Sequence, residues 1–102
     1  MMYTIYYGEL SESRKETWDT GEDNPYQVLQ DTRKISANDW MGFLGVARKH
    51  LREEIQIDWG SFAWKATKNE LINLCKVPGI SARGVKSLEA DKEYGVVFIE
   101  EC

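Results

Sequence analysis

The sequence predicts an α+β domain: a small β-sheet that includes the N- and C-terminal strands, with two main helices, over about 36–55 and 67–76, packed on one face. Two observations carry most of this. β-Branched and aromatic runs stand at both ends of the chain, MYTIYY from Met2 and YGVVFIE from Tyr94. Between them, two capping signatures each open a stretch with apolar residues at helical spacing. A third observation sets the scale. At 102 residues and 42% apolar content, one domain is expected and a multi-domain enzyme is not. A chain of this mass exposes roughly 17,000 Å² unfolded and roughly 6,000 Å² folded, enough to bury one core.

Met2–Tyr7 closes on Gly8 and reads as the first strand. Residues 8–25 then collect Gly, Ser, Thr, Asp and Asn and end in Asn24-Pro25, which predicts a long loop with room for one irregular turn over Ser11–Trp18. Tyr26–Gln30 is a short strand candidate. Ser36 and Asp39 form an S-x-x-D cap, and Trp40, Phe43, Leu44, Ala47, Leu51 and Ile55 recur at helical spacing, predicting a helix over 36–55. Gly42 and Gly45 lie inside that pattern and cost about 1 kcal/mol each against Ala, which predicts another backbone close by. Thr67 and Glu70 make a T-x-x-E box ahead of Leu71, Leu74 and Cys75, and Pro78-Gly79 stops this second helix soon after Lys76. In the last strand the apolar run Val96–Ile99 predicts cover on both faces and a central place beside the first strand.

The formal net charge is −4, unevenly spread: residues 1–31 hold seven acids against Arg14 and Lys15. Two cysteines, Cys75 and Cys102, make no disulfide framework, so reduced thiols are expected. No stretch approaches the ~20 apolar residues of a membrane span, and the N-terminus lacks the basic and apolar regions of a signal peptide. A cytoplasmic protein without membrane contact is the expectation.

Little in the chain suggests chemistry. His50 is the one histidine available as base for a nucleophile, and on the edge of an apolar helical stripe it reads as a surface residue. One His and two distant Cys cannot supply a zinc site. The adjacent acid pairs Glu22-Asp23, Glu53-Glu54 and Glu100-Glu101 point apart on a helix or a strand, and no glycine-rich phosphate loop is present. No enzyme activity, no metal and no cofactor are expected.

Residues 71–88 resemble a helix-hairpin-helix, a small DNA-binding motif. Val77-Pro78-Gly79-Ile80 matches its hairpin, and Val85 and Leu88 fall near its apolar positions, while Ser81 replaces its second glycine. The resemblance implies nucleic-acid contact through Lys76, Gly79, Arg83 and Lys86. The residues equally allow Val85–Leu88 to be a strand, leading through a turn into Tyr94–Glu100.

The segment Gln56–Lys65 carries Trp59, Phe62 and Trp64, a density of rings that suits either a core or an interface. Gly60-Ser61 breaks the alternation of Ile55, Ile57 and Trp59, so the rings are not expected to point one way; Trp59 is expected outside, with Phe62 and Trp64 at least partly buried. The function expected is a non-enzymatic protein-binding module, a regulator, adaptor or small inhibitor of the kind made by phages and mobile elements. Its partner-binding residues would be Trp59, Phe62, Trp64, Asp19, Glu22 and Asp23. Alternatives are DNA binding through 71–88 and mimicry of a nucleic acid by the acidic residues 9–31.

Overall fold

The structure is a computed structural model that describes residues 2–10 and 29–101. Expectations within 11–28, including the turn over Ser11–Trp18 and most of the Tyr26–Gln30 strand, lie outside the described residues. Along the chain come β1 (Met2–Leu10), β2 (Leu29–Ala37), α1 (Trp40–His50), β3 (Arg52–Asp58), β4 (Ser61–Ala66), α2 (Lys68–Leu74), β5 (Ile80–Ala82) and β6 (Tyr94–Glu101), with a 3₁₀ turn at Val85–Ser87 before the last strand. The described strands form one six-stranded sheet in the order β3-β4-β6-β1-β2-β5, and every neighbouring pair is antiparallel.

The terminal strands are the middle of this sheet. β1 and β6 pair without interruption from Met2 opposite Glu101 to Glu9 opposite Tyr94. Val96, Val97 and Phe98 are all fully buried, because β6 carries apolar side chains to both faces. On one face Ile5, Tyr7, Trp64, Val96 and Phe98 meet Phe43, Leu44 and Ala47 of α1 and Leu71 and Leu74 of α2. Phe43 joins the layers, edge-on to Trp64 at 6.1 Å and stacked with Phe98 at 6.1 Å. On the opposite face Leu10, Leu29, Ala63 and Val97 form a smaller cluster, against which Ile55, Ile57 and Ile99 pack.

The first helix is shorter than its pattern. Asp39 alone caps it, accepting from the backbone N–H of Met41 and Gly42 at 3.2 and 3.0 Å, while Ser36 lies in β2 opposite Ser81. At its other end the Leu51 N–H closes on the Ala47 carbonyl, and the chain turns extended. Arg52–Asp58 then pairs with β4 as an edge strand, so Ile55 belongs to the far face of the sheet and not to the helical stripe. Ladder bonds to β4 and the burial of Ile55 and Ile57 together outweigh one more turn of helix. The glycines of α1 mark no close backbone. A side-chain carbon on Gly45 would meet nothing within 4 Å, and one on Gly42 would meet only the Asp39 side chain, its carboxylate at 2.7 Å.

The second helix is built as its capping box predicts. Thr67 accepts from the Glu70 N–H and Glu70 from the Thr67 N–H, at 3.2 and 2.8 Å. Beyond it the helix-hairpin-helix resemblance fails. Gly79, at φ +88°, turns the chain into β5, where Ser81 pairs with Ser36 of β2. Only the single 3₁₀ turn follows, entered through Gly84 at φ +80°, so neither a second helix nor a strand forms over Val85–Leu88. Capture by β2 decides this, since an extended segment gains ladder bonds that a glycine-weakened helix lacks.

Candidate functional site

The β3–β4 hairpin and the first turns of α1 build one open groove. It is lined by Trp40, Leu44, Gln56, Trp59, Gly60, Phe62 and Glu100 and encloses about 320 Å³, at the small end for ligand pockets. Trp59 stands at the tip of the hairpin, 87% exposed. The turn that puts it there is tight. The Trp59 N–H donates to Oδ1 of Asp58 at 2.7 Å, and Gly60 follows at φ +77°, a conformation that side chains oppose. The Glu100 side chain fills the space that a side chain on Gly60 would need.

Phe62 forms the floor, half-buried. Its ring lies 6.3 Å from that of Trp64, and the Arg48 guanidinium sits 5.1 Å above its centre. Glu54 ties this wall together, its Oε1 accepting from the Trp64 indole at 2.9 Å and from Arg48 Nε at 2.8 Å. One carboxylate thereby links β3, β4 and α1 and fixes the angle between hairpin and helix. Trp64 itself is 1% exposed. This corrects its assignment as a partner contact: the side chain is core, and its polar edge is already satisfied by Glu54.

Glu100 lines the groove, and Asp58 stands beside it in the Trp59 turn. Among the described residues no cation pairs with Asp58 or Glu100, whereas Arg48, Arg52, Lys65 and Lys92 all meet carboxylates. Apolar floor, exposed indole and these two carboxylates make a surface that suits an apolar group carrying positive charge. Among the described residues the lining holds no nucleophile beside a base. Asp19, Glu22 and Asp23 lie outside the described residues. Of the acidic segment's described members, Glu9 is held by Lys92 at 3.0 Å.

Elsewhere, the described residues hold no cluster of three metal-ligating side chains, and no described helix is long and apolar enough to cross a membrane. Cys75 is a free thiol, pushed above the ordinary thiol range by burial and partly relieved by the Ala82 N–H. Lys76, Arg83 and Lys86 are exposed around β5, but Gly79 packs on Asn38, where a side-chain carbon would meet the Asn38 amide at 2.9 Å. Gly79 therefore offers no phosphate cradle. The position of Trp59 had a sequence signal in the Asp-Trp-Gly-Ser turn; Trp40, Leu44 and Glu100 had none, because only the fold brings them beside it.

No protein-family model, no curated protein and no solved structure matches this chain.

Proposed function

We propose that this chain is a non-enzymatic protein-binding module that works in the cytoplasm, a regulator, adaptor or inhibitor that occupies a partner's surface through the Trp59 groove. The single observation that carries the reading is an almost fully exposed tryptophan held by a tight, well-braced turn beside a half-buried aromatic floor. Exposing an indole has a cost in water, and tryptophan is the residue most enriched at binding hot spots. The occupant best suited is a protein segment with an apolar side chain flanked by Lys or Arg, since Glu100 in the groove and Asp58 beside it carry negative charge that no described cation pairs.

The test uses immobilised wild type, Trp59→Ala and Asp58→Asn in an extract of the source cells. A protein retained by wild type should be lost with Trp59→Ala, at an unchanged thermal midpoint, and held less well at higher salt and with Asp58→Asn. Retention indifferent to both substitutions and to salt would remove the groove from the account.

A further inference from the structure

Nine of the eleven described Lys and Arg residues fall into two groups, with Lys49 and Lys68 outside both. Beside the hairpin and the 89–93 turn, Arg48, Arg52, Lys65 and Lys92 are each in an ion pair. At the opposite edge of the sheet Arg33, Lys34, Lys76, Arg83 and Lys86 are all exposed, and none has a carboxylate partner among the described residues. Glu9, Asp31 and Glu89 share a pocket with Arg33 without pairing to it, while Lys34, Lys76, Arg83 and Lys86 are grouped like charges whose mutual repulsion an external anion would relieve.

The fold arranges them around a ridge. Ala82 and Gly84 separate two open grooves, one lined by Arg33, Lys34 and Arg83 with the hydroxyls of Ser36 and Ser81, the other reached by Lys76, Lys86 and Ser87. Because Ser36 stands opposite Ser81, alternation puts Lys34 on the same face as the two serines, and Arg83, in the turn after β5, lines the same groove. Arg33 lies against Gly84, in space a side chain there would fill, and the Tyr7 hydroxyl donates to the Arg83 carbonyl. The backbone bearing these charges is thus held by the core, not by a free loop.

Two features narrow the ligand. The outer edge of β5 is already used: the Ile80 N–H donates to the Val77 carbonyl and the Ala82 N–H to Cys75 Sγ. An added peptide strand would find no free donors there. The groove of Arg33, Lys34 and Arg83 also holds no large apolar side chain, so it lacks the anchor pocket a protein partner uses. Guanidinium, ammonium and hydroxyl donors without an apolar centre match phosphate oxygens.

We infer that the β2–β5 edge binds the phosphate backbone of a nucleic acid, without sequence preference and separately from the Trp59 groove. The contact does not use a helix-hairpin-helix; it uses side chains that β2 and the 3₁₀ turn bring together from distant parts of the sequence. With a net charge of −4 opposing long-range attraction, affinity should be modest and steeply salt-dependent.

The experiment is fluorescence anisotropy with a labelled oligonucleotide, single-stranded in one arm and duplex in the other, titrated with wild type, Lys34→Glu/Arg83→Glu and Lys49→Glu/Lys68→Glu. The last pair changes the net charge equally but lies away from the edge, and thermal unfolding of all three verifies that they fold. Binding at about 50 mM salt should fall at least tenfold with Lys34→Glu/Arg83→Glu, and the slope of log K against log salt should shrink by about two. Lys49→Glu/Lys68→Glu should stay within about threefold of wild type. Which arm binds more tightly distinguishes a strand from a duplex as the source of the phosphates. No binding in either arm, or equal loss in both charge-reversed pairs, overturns the inference. So does binding of polyglutamate in place of the oligonucleotides, which would turn the edge toward an acidic protein.

Discussion

The Glu100 side chain lies across the backbone of Gly60, in the space that any other residue at that position would require. Glu100 belongs to the central strand β6 and Gly60 to the turn that presents Trp59, so the hairpin tip rests on the middle of the sheet. The exposed indole is therefore mounted on a rigid part of the molecule.

Substituting Gly60→Ala should be destabilising by at least about 1 kcal/mol, from the positive φ together with the displaced carboxylate, lowering Tm by roughly 4–8 °C. Gly45→Ala should do the opposite. That glycine is helical with open space beside it, and alanine there should add about 0.5–1 kcal/mol. Thermal unfolding of the two variants checks both signs at once.

Trp59 and Trp64 should separate cleanly under truncation. Trp64→Ala removes a ring packed on Phe43 and Phe62 and should cost about 3–5 kcal/mol. Trp59→Ala should stay within about 0.5 kcal/mol of wild type. Denaturant midpoints measure the difference, and an equal loss for the two would contradict the exposed placement of Trp59.

Glu54→Ala should cost about 1–3 kcal/mol, because it leaves the part-buried Trp64 indole N–H without an acceptor and releases Arg48. Glu54→Gln keeps a carbonyl oxygen in reach of the indole and should recover about half or more of that loss. Denaturant unfolding gives the comparison, and near-ultraviolet circular dichroism should report the altered indole environment in Glu54→Ala.

Burial raises the Cys75 thiol, which favours its protonated form in the folded state. The sign for stability follows: the folded state holds its proton to higher pH than the unfolded chain, so stability should decline as pH rises through the unfolded thiol range of about 8.5–9. In a Cys102→Ser background, alkylation at pH 8 should run slower in the native protein than in denaturant, since the thiolate is the reactive species. Equal rates would mean that the thiol is not protected.

Local rules in the sequence already determine a good part of this protein. The capping box at Thr67 and Glu70, the Asp39 cap and the two terminal strands depend on residues within a few positions of one another, so pattern and propensity suffice to place them. The apolar run in β6 likewise announces a central strand. An exposed Trp59 follows from Gly60, a residue that permits the turn.

Tertiary structure alone decided the rest, wherever two segments competed for the same backbone. Arg52–Asp58 carried a residue of the helical stripe, and β4 drew it into the sheet; Ile80–Ala82 followed a helix and a Pro-Gly turn, and β2 made it a strand. Pairing energy of that kind depends on a partner remote in sequence and leaves no mark at the segment itself. The same holds for both surfaces. Trp40 and Glu100 line one groove with Trp59, and Arg33 and Lys34 another with Arg83, because helix packing and strand pairing bring separated segments together, a proximity that no local spacing encodes.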